Sequence, residues 1–188
     1  MKFILAVLTS SIFFFYCACG RSKGLEKKET KEVEMLEIEV YSSSFKNGGV
    51  IPKKYTCEGE DISPHIGWGE LPKGVKSLAL ICDDPDAPGG DFVHWVIYNI
   101  PPEIDSLPEG LPIKDTLDFG ALQGMTDFGR VGYGGPCPPR GPAHHYHFKL
   151  YALDTVLDAE KEITKEKLLK KMEGHILAKG EIVGLFNR

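Results

Sequence analysis

Residues 83–101 read DDPDAPGGDFVHWVIYNIP, and they need a second stretch, residues 132–153, GYGGPCPPRGPAHHYHFKLYAL. Each joins a Gly/Pro-rich loop to an apolar run rich in β-branched and aromatic residues, the pattern of polar groups on a stiff loop beside a strand. Leu78, Leu80, Cys82 and Asp84 alternate with their neighbours, so a pleated strand puts all four on one face. His94 opens the next run. The same period of two in the second stretch sets His144, Tyr146 and Phe148 on one face and His145, His147 and Lys149 on the other. Only alternate histidines can then serve one site.

Working outward, alternation at Leu36, Ile38 and Val40 predicts a half-buried strand at the start of the folded domain. Further strands are expected over 50–57, 77–82, 92–100, 145–153 and 182–186. Turn signals at Asn47-Gly48-Gly49 and Pro72-Lys73-Gly74 separate the early ones. LALIC (78–82) and WVIY (95–98) are apolar on both faces, as interior strands of a packed sheet should be. One helix of about ten residues is expected where Thr164 serves as N-cap, Leu168, Leu169 and Met172 share a face, and Gly174 stops the helix.

Composition agrees with this reading. The 188 residues include 21 Gly and 13 Pro, which favours many turns and short strands over a helical bundle, and 42% are hydrophobic, enough for one core. The expected class is mainly β, a sandwich at the margin of α+β. The net charge is −5 without a dominant basic stripe, so no electrostatic footprint for nucleic acid is present. Beyond the leader, Cys57, Cys82 and Cys137 lack the CxxC spacing of a zinc or redox site. Cys82 reads as a small buried hydrophobe. Export would permit a bridge between Cys57 and Cys137, but nothing in the sequence places them within bridging distance, and the sequence leaves open whether they pair.

The string DPDAP, a histidine some ten residues on, then GPxPPxGxxHxY and LYAL, resemble the phosphatidylethanolamine-binding protein family, which includes the animal Raf kinase inhibitor protein and small bacterial and archaeal relatives. The resemblance spans roughly residues 40–188 and is nearest the prokaryotic branch through YTCEGEDISPHIGW (55–68), GYGGPCPP (132–139) and GHILAKGEIVGLF (174–186). It implies a β-sandwich with a large central sheet, antiparallel or mixed, and a short C-terminal helix. It also implies that Asp84, Asp86, His94, Pro138, Pro139, His144 and Tyr146 wall an anion-binding pocket. One local departure is His145, where animal members carry an Arg.

The residue types suit that chemistry. An imidazole near its ordinary pKa donates to a phosphate or carboxylate oxygen, and a carboxylate such as Asp84 fixes the tautomer and raises the basicity of the ring. Tyr146 would add a neutral donor, and Pro138, Pro139 and Gly141 a stiff rim. Taken singly, Asp84 reads equally as a turn cap, and His94 and His144 as satisfied core histidines. His145 and His147 share a strand face, but no Cys, Asp or Glu supports them at a ligand spacing, so no metal is expected, nor any cofactor. The leading reading is a binding module for a small anion or phosphate-bearing head group, with no catalytic residue assigned. The alternatives are an inhibitor or regulator of an unidentified protein partner, as in the kinase-inhibitor branch, and a His/Asp-based hydrolase; no nucleophile motif accompanies the latter.

Residues 1–18 combine a short positive start with an apolar run from Phe3 to Tyr16, too short to span a bilayer and patterned as a secretory signal. Small residues before Cys19 and Gly20 after it resemble a lipoprotein processing site with Cys19 lipidated; ordinary signal cleavage is the other reading. Residues 19–35 are almost all charged or small and read as a flexible tether, so the domain at 36–188 is expected at the cell envelope, held to a membrane through Cys19. If so, the protein partitions into the detergent phase and Cys19→Ser sends it to the aqueous phase. Equal partitioning of both forms would reject the anchor.

Overall fold

The computed structural model describes residues 36–188. The leader (1–18), Cys19 and the tether (19–35) lie outside the described residues. The strands in chain order are β1 (Leu36–Glu37), β2 (Val40–Tyr41), β3 (Gly49–Val50), β4 (Ile66–Trp68), β5 (Ser77–Asp84), β6 (Phe92–Ile100), β7 (Ser106–Leu107), β8 (Leu122–Gln123), β9 (His144–Leu153) and β10 (Ile176–Phe186), with helix α1 (Lys165–Met172) before β10. The large sheet runs β1-β10-β9-β5-β6-β8, with β3 also on β10; the small one runs β2-β4-β7. The large sheet is mixed, because β1 and β3 lie parallel to β10 while its other pairs are antiparallel.

Alternation along the central strands feeds two cores. Leu78, Leu80, Cys82, Trp95, Ile97, Tyr146 and Phe148 pack with Ile38, Val40, Ile66, Trp68 and Leu107, which places the main core between the sheets. Ala79, Ile81, Val93, Val96 and Tyr98 face the other way and pack with Ile163, Leu168 and Met172, so α1 and its approach cover the second face. All eight residues of β5 are therefore buried, and its doubly apolar sequence follows from its place inside a covered sheet. Thr164 caps α1 by accepting from the Lys167 N–H, and Gly174 just beyond the helix has φ +79°, where a side chain would be strained.

Several boundaries differ from the sequence reading, each for a local reason. Pro52 has no N–H for a ladder, so the run at 50–57 becomes the end of β3 and a 3-10 turn, Lys53–Tyr55. The strand expected from 182 begins at Ile176 and passes through Gly180, where an added Cβ would lie 2.0 Å from the Ile38 carbonyl oxygen. The alternation at 36–40 divides between the two sheets, Leu36 pairing with Ala178 and Val40 with Trp68, and Leu36 stays exposed.

Cys57 and Cys137 are disulfide-bonded across 80 residues, which answers the pairing that the sequence leaves open; Cys82 is free and buried. The segment before Cys137 crosses the 3-10 turn: Tyr133 donates its hydroxyl to the Tyr55 carbonyl (2.8 Å), and the Cys57 N–H donates to the Pro136 carbonyl (3.1 Å). These contacts bring the two Cα atoms to 5.4 Å, within bridging reach.

Ile97 is wholly buried at the centre of β6. Ile97→Ala is expected to cost about 2–5 kcal/mol, read as a lowered denaturation midpoint with unchanged slope. An unmoved midpoint would contradict its place in the main core.

Candidate functional site

Strand direction assembles the site. β6 and β9 both run antiparallel to β5, so the C-terminal end of β5 meets the N-terminal ends of its two neighbours. Asp84, His94, His144 and Tyr146 come from those three ends. Register supplies the aim of His94: Cys82 pairs with Trp95 and Asp83 with Val93, leaving His94 as the extra residue of a bulge. A bulge redirects a side chain that strict alternation would send elsewhere.

The resulting cavity has a volume of about 200 Å³ and is lined by Asp84, Ala87, Pro88, Phe92, His94, Phe128, Cys137, Pro138, Pro139, His144 and Tyr146. Six of the seven residues expected around a pocket therefore meet in one place. Asp86 is not among the lining residues: its exposed carboxylate accepts from the backbone N–H (2.9 Å) and ring Nδ1 (2.7 Å) of His145. Those bonds hold its carboxyl below the usual range. The Asp86 backbone still contributes, its N–H donating to Asp84 Oδ1 (2.9 Å) across the Asp-Pro-Asp turn. Gly141 is not among the lining residues. His145 and His147 lie on the opposite strand face, each with Nδ1 on a carboxylate, Asp86 or Glu181.

Inside the cavity the proton positions follow from the partners. Asp84 Oδ2 lies 2.8 Å from His144 Nδ1, and the Gly134 carbonyl oxygen lies 2.7 Å from His94 Nδ1. With Asp84 ionised, both acceptors are oxygens without protons, so both Nδ1 atoms carry the hydrogen and each neutral ring presents a bare Nε2. No described residue hydrogen-bonds either Nε2. The carboxylate thus orients His144, while His94 is oriented by the backbone. The Tyr146 hydroxyl is buried close to Asp84, and among the described residues it makes no hydrogen bond that meets the distance and angle requirements. Burial first, and then the Asp84 charge, push its phenol well above the ordinary range, so it stays a neutral donor.

Burial also lowers the pKa of His94, more than the Gly134 carbonyl and the surrounding carboxylates raise it. Its ring is enclosed by Phe92, Phe128 and Tyr146, with centroids 5.1, 5.3 and 5.1 Å away. Phe128 is the functional neighbour that periodicity missed, because it sits in an irregular loop. A large aromatic in the Gly-flanked stretch TDFGR was its one sequence signal. Gly134 makes room for it, since a Cβ there would lie 2.3 Å from the Phe128 ring.

Comparison with known proteins places this geometry. Residues 41–187 match the family model described as phosphatidylethanolamine-binding protein. A UPF0098 protein of Methanothermobacter thermautotrophicus is 52% identical over 145 residues, covering 77% of this chain and 95% of that one. A UPF0098 protein of Aquifex aeolicus is 53% identical over 153 residues, covering 80% and 89%. Among solved structures, a phosphatidylethanolamine-binding protein homologue from Chlamydia trachomatis has 41% identity and a TM-score of 0.74, covering 81% of this chain and 98% of that one. E. coli YbcL, described as a member of the mammalian family, has 34% identity and a TM-score of 0.75, covering 81% and 99%. The chain belongs to the phosphatidylethanolamine-binding protein family.

Proposed function

We propose that the cavity binds a small anion or phosphate-bearing head group, and that the protein is a binding module of the cell envelope. The observation that carries the reading is the convergence on one cavity of the open Nε2 atoms of His94 and His144, with the buried Tyr146 hydroxyl beside them. With both Nδ1 atoms engaged, the two Nε2 atoms are left to meet a ligand oxygen, donating to it once protonated. The apolar collar of Phe92, Phe128, Pro138 and Pro139 suits an anion that carries an organic substituent. Placement at the envelope rests on the N-terminal sequence, and the Cys57–Cys137 disulfide supports an oxidising location. Anchoring through Cys19 and the identity of any protein partner belong to the same proposal. A second reading has one observation in its favour: Asp84 orients His144 as a carboxylate orients a general-base imidazole, which turnover of an ester and phosphoester panel would test.

The protonation state gives the anion reading a sign. Free His94 has a depressed pKa, so near neutral pH its Nε2 is an acceptor and meets an anion unfavourably. A bound anion stabilises the imidazolium and raises that pKa, so binding takes up a proton wherever the pH lies between the free and bound values. Affinity therefore rises as pH falls, by at most about tenfold per pH unit for one proton, and levels off below the free-state pKa. Sulfate is the clean probe, because phosphate itself titrates in this window.

Isothermal titration with sulfate should show affinity strengthening from about pH 8 to about pH 6, and His94→Gln should flatten the profile. His144→Gln and Asp84→Asn should weaken binding, whereas His145→Gln on the far face should leave it unchanged. Loss of sulfate binding on His145→Gln with none on His144→Gln would put the ligand on the wrong side of β9 and end the proposal.

A further inference from the structure

One covalent bond in the cavity wall offers an anion no hydrogen-bond donor. Cys57 and Cys137 are both exposed, and Cys137 lines the cavity next to Pro138 and Pro139. Arg188 reaches the same point: its Nε donates to the Pro138 carbonyl (2.7 Å), and its Nη1 lies 3.7 Å from Cys137 Sγ. The two sulfurs thus sit in unequal fields. A guanidinium stabilises negative charge on the sulfur beside it, which makes Cys137 the better leaving thiolate and Cys57 the sulfur open to attack.

We propose that the Cys57–Cys137 bridge is a thiol–disulfide exchange site, at which a low-molecular-weight thiol modifies Cys57 and loosens the rim of the cavity. The incoming thiol gives its proton to solvent, and its thiolate attacks Cys57 Sγ. A new S–S bond forms there, the Cys57–Cys137 bond breaks, and its electron pair leaves on Cys137 Sγ beside Arg188. The incoming sulfur is oxidised and Cys137 is reduced. With a dithiol, the second thiol resolves the mixed disulfide and both cysteines end as thiols.

The effect is confined to the rim by the surrounding hydrogen bonds. The Gly135 N–H donates to Asp61 Oδ1 (2.7 Å), and the Tyr133–Tyr55 and Cys57–Pro136 bonds hold the chain up to Pro136 without help from the bridge. The His144–Asp84 and His94–Gly134 pairs also involve none of residues 137–139. Exchange therefore removes the covalent hold on residues 137–139, one wall of the cavity, and leaves them the Arg188–Pro138 hydrogen bond, while the polar floor stays built. This consequence for ligand affinity rests on the anion-binding reading; the exchange chemistry does not.

The test treats the folded full-length protein with excess 2-mercaptoethanol, quenches with iodoacetamide and maps the peptides by mass spectrometry. A mixed disulfide on Cys57 with carbamidomethylated Cys137 is expected. Arg188→Gln should slow the exchange about threefold or more, and Arg188→Lys should restore it, because a charge near the leaving sulfur sets the rate. A bridge that opens only in denaturant, or an adduct chiefly on Cys137, would overturn the assignment. Sulfate titration of oxidised and dithiothreitol-reduced protein then reads the rim, with a loss of about threefold or more expected on reduction, since an ordered wall lowers the entropy cost of binding. Equal affinities, or loss of the near-UV circular dichroism signal on reduction, would remove the gating role. Absence of sulfate binding in both forms would sink the anion reading and the gate with it, while the peptide map still decides the exchange site.

Discussion

Asp83 and Asp84 are consecutive, almost wholly buried and on opposite faces of the most deeply buried strand of the large sheet. A buried carboxylate without a partner costs several kcal/mol, so each needs its own donors, and the surrounding structure supplies them in two directions. On the helix side, Asp83 accepts from Lys149 (2.7 and 2.9 Å) and Lys165 (2.5 Å), and Lys165 also pairs with Asp91. On the sandwich side, Asp84 takes His144 Nδ1. β9 serves both, with Lys149 on one face and His144 on the other, five residues apart.

This arrangement ties the candidate site to the stability of the sheet. Lys165 opens α1, so the pair with Asp83 docks the helix over the second core, and its contact with Asp91 holds the loop that leads into Phe92 and His94. The cavity floor is then positioned from behind by charge and from the front by register. His94 can sit desolvated there only because the bulge turns it inward and the Gly134 carbonyl accepts its Nδ1 proton. The same burial that depresses its pKa gives the proposed anion binding its pH dependence.

The rim is built on another principle. Residues 132–139 have no long ladder; they are held by close approach to the 3-10 turn, by the bridge and by Arg188 near the far end of the chain. A floor made of strand ends and a wall made of a crosslinked loop can respond separately to their surroundings. In the proposed functions, proton concentration acts on the first and thiol chemistry on the second.

Period-two alternation alone assigned the faces of β5 and β9, because a covered sheet punishes any residue on the wrong side; the split of His144 and Tyr146 from His145 and His147 was therefore legible. The cap and stop of α1 were legible for the same local reason, being satisfied within a few residues by Thr164 and Gly174. The ordered motifs around Asp84 and His144 also pointed to the family and hence to a pocket. Tertiary structure alone decided the rest. The aim of His94 depends on a register shift between strands, and the placement of the Asp86 carboxylate on a backbone N–H of β9. Phe128 joins the cavity through a loop without periodicity, and Cys57 meets Cys137 because two segments 80 residues apart cross. Alternation and capping are written in neighbouring residues, whereas register, loop crossing and the competition for a buried carboxylate are settled only when distant parts of the chain are packed together.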